Sequence, residues 1–136
     1  MNNNEIDIPK KINSLSQDLV RMSESDYPFD TFTWSNQEVE EVNTQNLLQK
    51  THHSLDAPVK VIDMEKFFQQ ATDEKDWYDW EERETAKKYQ ALVETLKQNL
   101  NNIQVYKIGE VEIDVYIVGQ LTSGDWFALS TKAVET

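Results

Sequence analysis

Between residues 73 and 84 the chain reads Asp-Glu-Lys-Asp-Trp-Tyr-Asp-Trp-Glu-Glu-Arg-Glu, with seven carboxylates and two cations around three aromatic rings. Two kinds of chemistry use such a mixture. Carboxylates at alternate positions of a loop can hold a hard cation, and exposed aromatics among carboxylates can anchor a partner protein. The cation reading fails on spacing. With Asp73 first, Lys75 and Trp77 fall on ligand positions of a calcium loop, and Tyr78 stands where that loop needs glycine. Two readings remain. One is a solvated helix start with Trp77 or Trp80 packed inward. The other is an interface in which the indoles are rigid anchors inside a steering ring of charge.

His52 and His53 are the only histidines. Adjacent side chains point away from each other on a helix or a strand, so the pair matches a shared metal site poorly. Asp56 can pair with His52, and Ser54 lies nearby, but no nucleophile-elbow sequence accompanies them, so a surface role is expected. Paired carboxylates for acid–base work remain open among 25 acids. Sequence alone does not locate such a pair, because the chemistry depends on separation in space. Glu24, flanked by Ser23 and Ser25, is on its own an ordinary turn residue.

The overall balance narrows the classes. In 136 residues, 13 Lys and Arg oppose 25 Asp and Glu, a formal charge of −12. A surface of that sign repels phosphate, so no direct nucleic-acid binding is expected, and a basic partner is. Cysteine is absent, which excludes disulfides and thiolate zinc sites. Three glycines cannot build a glycine-rich phosphate cradle. No stretch approaches the roughly 18 apolar residues of a membrane helix. The first seven residues have neither a basic region nor an apolar run, so no signal peptide is expected and a cytoplasmic location is. The length fits one domain over 1–136.

The elements that must position these residues follow from periodicity. Residues 1–8 read as a polar tail. Ile12, Leu15, Leu19 and Met22 recur at three and four residues and predict a helix from Pro9 that breaks over 23–28. Residues 29–34 predict a strand with Phe32 and Trp34 on one face. Residues 35–45 predict a loop, Leu47 and Leu48 a short helical turn, and 59–62 an extended segment. Asp63 can cap a helix carrying Met64, Phe67 and Phe68. Ala86, Tyr89, Val93, Leu96 and Leu100 predict a long helix over 81–100, closed by Asn101 and Asn102. The last third predicts strands at 103–108, 110–118 and 127–134, separated by the three glycines. In the middle one Val111, Ile113, Val115 and Ile117 alternate with acidic residues and Tyr116. Short connections predict an antiparallel meander, and helices must cover its apolar face, an α+β architecture.

Several blocks stand out: Met22-Ser-Glu-Ser-Asp-Tyr-Pro-Phe29, Asp56-Ala-Pro-Val-Lys-Val-Ile-Asp63, Phe67-Phe68, Asp76-Trp77-Tyr78, Gln104-Val-Tyr-Lys-Ile-Gly-Glu-Val-Glu-Ile-Asp-Val-Tyr116 and Ser130-Thr-Lys-Ala-Val-Glu-Thr136. Together they resemble the nuclease A inhibitor family. The similarity runs from the first helix to the last residue and departs at 35–43 and 123–127. It implies a non-enzymatic inhibitor of a sugar-non-specific, magnesium-dependent DNA/RNA endonuclease. It also implies an α/β/α sandwich, an antiparallel sheet covered by helices as in the plant pathogenesis-related proteins. Glu24 matches a glutamate that approaches the nuclease's magnesium, and Thr136 matches a terminal threonine whose carboxylate reaches the same place. Asp76 and Trp77 match a pair packed at the interface. No cofactor and no metal of its own is implied. Two other classes stay in view, an acidic binding module for a different basic protein and a carboxylate-dependent hydrolase.

Overall fold

The computed structural model describes residues 4–23, 29–37 and 42–134. Its elements are α1 (Asn4–Ser23), β1 (Asp30–Trp34), α2 (Thr44–Lys50), β2 (Val59–Ile62), α3 (Met64–Thr72), α4 (Trp80–Asn99), β3 (Asn101–Ile108), β4 (Glu112–Gln120) and β5 (Trp126–Val134). The five strands form one antiparallel sheet in the order β1-β5-β4-β3-β2. Four helices and this sheet make an α+β fold among the described residues.

Period-two alternation splits the sheet into two faces. Val105, Ile113, Val115, Ile117, Phe127 and Leu129 lie on one, in a core shared with Ile12 of α1, Met64 and Phe68 of α3, and Leu92 and Leu96 of α4. Tyr106, Ile108, Val118, Trp126 and Ala128 lie on the other, packed with Leu47 and Leu48 of α2. The acidic face expected for β4 is therefore only half acidic. Past Tyr116 it turns apolar, because α2 covers it.

Several expectations shift. α1 starts at Asn4 and buries Ile8, so the helix takes in residues 4–8 that read as a tail. Pro9 sits inside this helix rather than at its start. Val111, expected on the apolar face, is 59% exposed, since β4 begins one residue later. The cause is the β3–β4 turn. Gly109 has φ +117°, and a Cβ there would stand 2.4 Å from the Glu112 carbonyl oxygen. Gly119 separates no strands. It lies within β4, opposite Phe127, where a Cβ would meet the Leu100 side chain at 2.8 Å. Leu100 caps α4 in extended conformation, and β3 starts directly at Asn101, so the two asparagines belong to the strand.

The register defines two ends of the sheet. Ile108, Glu112, Val134 and the start of β1 are at one end. Asn101, Gln120, Trp126 and Trp34 are at the other. α4 ends at the second of these, beside Asn101. α3 runs antiparallel to α4, with Glu65 bonded to Lys97 at 2.7 Å and the Thr72 carbonyl to Gln90 at 2.7 Å. Twenty residues of helix span about 30 Å. That sets Trp80 far from Leu100, where α4 meets β3.

Candidate functional site

The acidic segment is mounted on the start of α4. Asp79 is the N-cap, and its carboxylate accepts from Glu82 N–H at 2.8 Å while Glu82 accepts from Asp79 N–H at 3.2 Å. This reciprocal box satisfies donors that every helix start leaves open. Arg83, one turn in, reaches back over the loop. Its Nε donates to the Tyr78 carbonyl and its Nη2 to the Asp76 carbonyl, both at 3.1 Å. Gln90 donates to the Thr72 carbonyl and to Glu74 at 3.3 Å, tying the other end of the loop to the same helix. Lys75 bonds to Asp73, and that hydrogen bond, then the carboxylate charge, raises the ammonium pKa above its ordinary value.

These contacts hold the backbone and leave the rings outside. Trp77 is 78% exposed and Trp80 72% exposed, while Asp76 is exposed beside them. Among the described residues Trp77 has one ring neighbour, Tyr78, edge-on at 6.3 Å. The inward-packed alternative is thus not what the structure adopts. An indole of this size left in water on a clamped loop is an apolar surface already ordered for contact.

A second cluster lies on the α2 face. His53 Nε2 is 2.7 Å from Asp114 Oδ2, and His53 Nδ1 is 2.7 Å from Thr51 Oγ1. The Thr51 hydroxyl donates to the Leu47 carbonyl at 2.6 Å. That proton is directed at a carbonyl rather than at the His53 ring. Lys132 Nζ stands 4.0 Å from the other Asp114 oxygen. Burial, then the Asp114 charge, raises the Tyr116 pKa, against the lowering effect of its hydrogen bond with Thr51. Asp30 and Asp114 line the same cavity of about 320 Å³ with Phe32, His53, Tyr116 and Lys132. Their Cα atoms are two strands and two residues apart in the register, about 12 Å. Asp114 spends its oxygens on His53 and Lys132, so this is a carboxylate–imidazole clasp rather than two acids facing each other. The pairing of His52 with Asp56 does not form. His52 is exposed with φ 60°, and Asp56 N–H instead bonds to Ser54 Oγ at 3.3 Å.

Of the four residues singled out by sequence, Asp76 and Trp77 fall in one turn. Glu24 and Thr136 lie outside the described residues. Phe29 precedes β1 at the end of the sheet where β5 finishes with Val134. The family profile of nuclease A inhibitor-like protein (NuiA) matches residues 6–136. The chain belongs to the nuclease A inhibitor-like family. No curated protein matches it. Membership of this family suggests a nuclease inhibitor role. No described helix is long and apolar enough to cross a membrane, and the described residues hold no cluster of three or more His, Asp or Glu suited to a metal.

Sequence reasoning on this nuclease A inhibitor-like chain passed over two positioning residues. Arg83 looked like one cation in an acidic run. Only its reach across seven residues to a carbonyl shows what it does. The cap at Asp79 was legible in principle, since Asp followed three residues later by Glu before an apolar period is a capping-box signature.

Proposed function

We propose that this protein inhibits a magnesium-dependent, sugar-non-specific DNA/RNA endonuclease by filling its basic cleft with carboxylates and an aromatic anchor, and that it is not itself an enzyme. The observation that carries the reading is Trp77, an indole in water on a loop whose flanking carbonyls are both held by Arg83. An anchor ordered before binding loses little conformational freedom on contact. Asp76 and Trp77 are the contact pair in this reading.

A nuclease must hold a polyanion, so its cleft is basic, and its metal is a hard cation that prefers oxygen ligands. A carboxylate there imitates a substrate phosphate without offering a bond to cut. Glu24 and the terminal carboxylate of Thr136 take that role. Support comes from topology. Phe29, which follows the Glu24 segment, and Val134, which precedes Thr136, are at one end of the sheet. The chain's −12 speeds encounter by steering, which salt weakens over a Debye length of about 8 Å.

The deciding experiment titrates a nuclease A-like DNA/RNA endonuclease with the protein, then repeats calorimetry with Glu24→Ala and Trp77→Ala. Stoichiometric loss of nuclease activity is expected, with weaker binding by both variants and unchanged melting. A fully active nuclease at equimolar protein overturns the reading in favour of another basic partner. Unchanged affinity in both variants overturns the residue assignment alone.

A further inference from the structure

Trp80 is the first residue of α4 and 72% exposed, and among the described residues its ring has no aromatic neighbour. It does nothing visible for the fold. The core side of α4 is supplied by Ala86, Leu92, Leu96 and the half-buried Tyr89 and Val93. Helix propensity does not ask for tryptophan at a solvated first turn either.

Its surroundings are specific. Residues 73–84 carry seven carboxylates against two cations, a net −5 of the chain's −12 in twelve residues. One of those cations, Arg83, is turned back onto carbonyls, and the other, Lys75, is bonded to Asp73. Asp79 immediately precedes Trp80 and Glu81 immediately follows it, both exposed. Trp77 and Trp80 are fixed to one rigid unit by the capping box and by Arg83. An electron-rich indole face on a segment of net negative charge attracts a cation twice, through the ring quadrupole and through the charge.

We infer that Trp80 is a second partner contact that receives a lysine or arginine side chain of the bound protein against its indole face, beside the anchor at Trp77. The inference rests on the inhibitor reading above and extends its contact surface to a residue which that reading leaves out. The cationic class follows from the net negative charge of the segment. A purely apolar occupant would desolvate Glu81 without pairing it, which is costly.

The test compares Trp80→Ala, Trp80→Leu and Trp80→Phe with the wild-type chain, by titration of endonuclease activity and by calorimetry. Melting temperature serves as the folding control. Trp80→Ala is expected to weaken inhibition about 5- to 30-fold with unchanged melting. Trp80→Leu should lose nearly as much, because it keeps apolar area without a ring, and Trp80→Phe should keep part of the affinity. Wild-type affinity in Trp80→Ala overturns the contact. Wild-type affinity in Trp80→Leu overturns its cationic character. A wild-type chain that leaves the nuclease fully active overturns the inhibitor reading itself, and this extension with it.

Discussion

The α4 start and the His53 clasp combine the same residue types, carboxylates beside aromatic rings, and use them in opposite ways. In the clasp, Asp114 and Thr51 both bond to His53, with Tyr116 edge-on to the imidazole at 6.0 Å. The polar side chains are consumed in joining the segment after α2 to β4. At α4, side chains spend their bonds on backbone, through Asp79, Glu82, Arg83 and Gln90. The rings there are left to solvent. A cluster that closes on itself stabilises a fold, whereas one that clamps its own main chain holds a surface ready for something else.

The comparison breaks first at Trp77. Trp77→Ala should weaken nuclease binding by about 2 kcal/mol or more, roughly 30-fold, with melting unchanged. A large loss of thermal stability would mean that the indole serves the fold. Arg83→Ala comes next. It removes no expected contact, yet releases the Asp76 and Tyr78 carbonyls, and should weaken binding about 5- to 10-fold through a loosened loop. Arg83→Lys should not restore it, because one ammonium lacks the planar fork that spans two carbonyls. Titration calorimetry reads both.

Asp114→Ala should do the reverse, lowering stability by about 1 kcal/mol, or a melting temperature by about 2–4 °C, with inhibition intact. Parallel melting and activity titrations separate the two regions. The smallest effect is alkaline. Burial raises the Tyr89 pKa above 10.0, and burial with Asp114 does the same for Tyr116. The folded state holds these protons more tightly than the unfolded one. The resulting stability is therefore complete below the ordinary tyrosine range and is lost as pH rises through the raised values. Melting temperature should fall above about pH 10. Tyr89→Phe, which removes one titrating group, should flatten that fall.

Legibility in the sequence followed the range of the interaction. Leu96 and Ala86 announced α4 because burial on one helix face repeats along the chain. Val111 misled because alternation says nothing of where a strand begins, which the Gly109 turn fixes. His53 was legible as a histidine and not as a partner of Asp114, 61 residues away. Asp76 and Trp77 were singled out by resemblance, and their exposure was not.

The sequence by itself determined the charge, the exclusion of thiol chemistry, the helix and strand periods and the family blocks. These are properties of composition and of near neighbours. Tertiary structure decided that the second face of the sheet is covered by α2, and that Arg83 turns back onto the loop. It also decided that Trp77 and Trp80 stay in water while Trp126, the same side chain, is buried in β5. Which of three indoles meets solvent depends on what packs over each position, and that is settled only when distant segments meet.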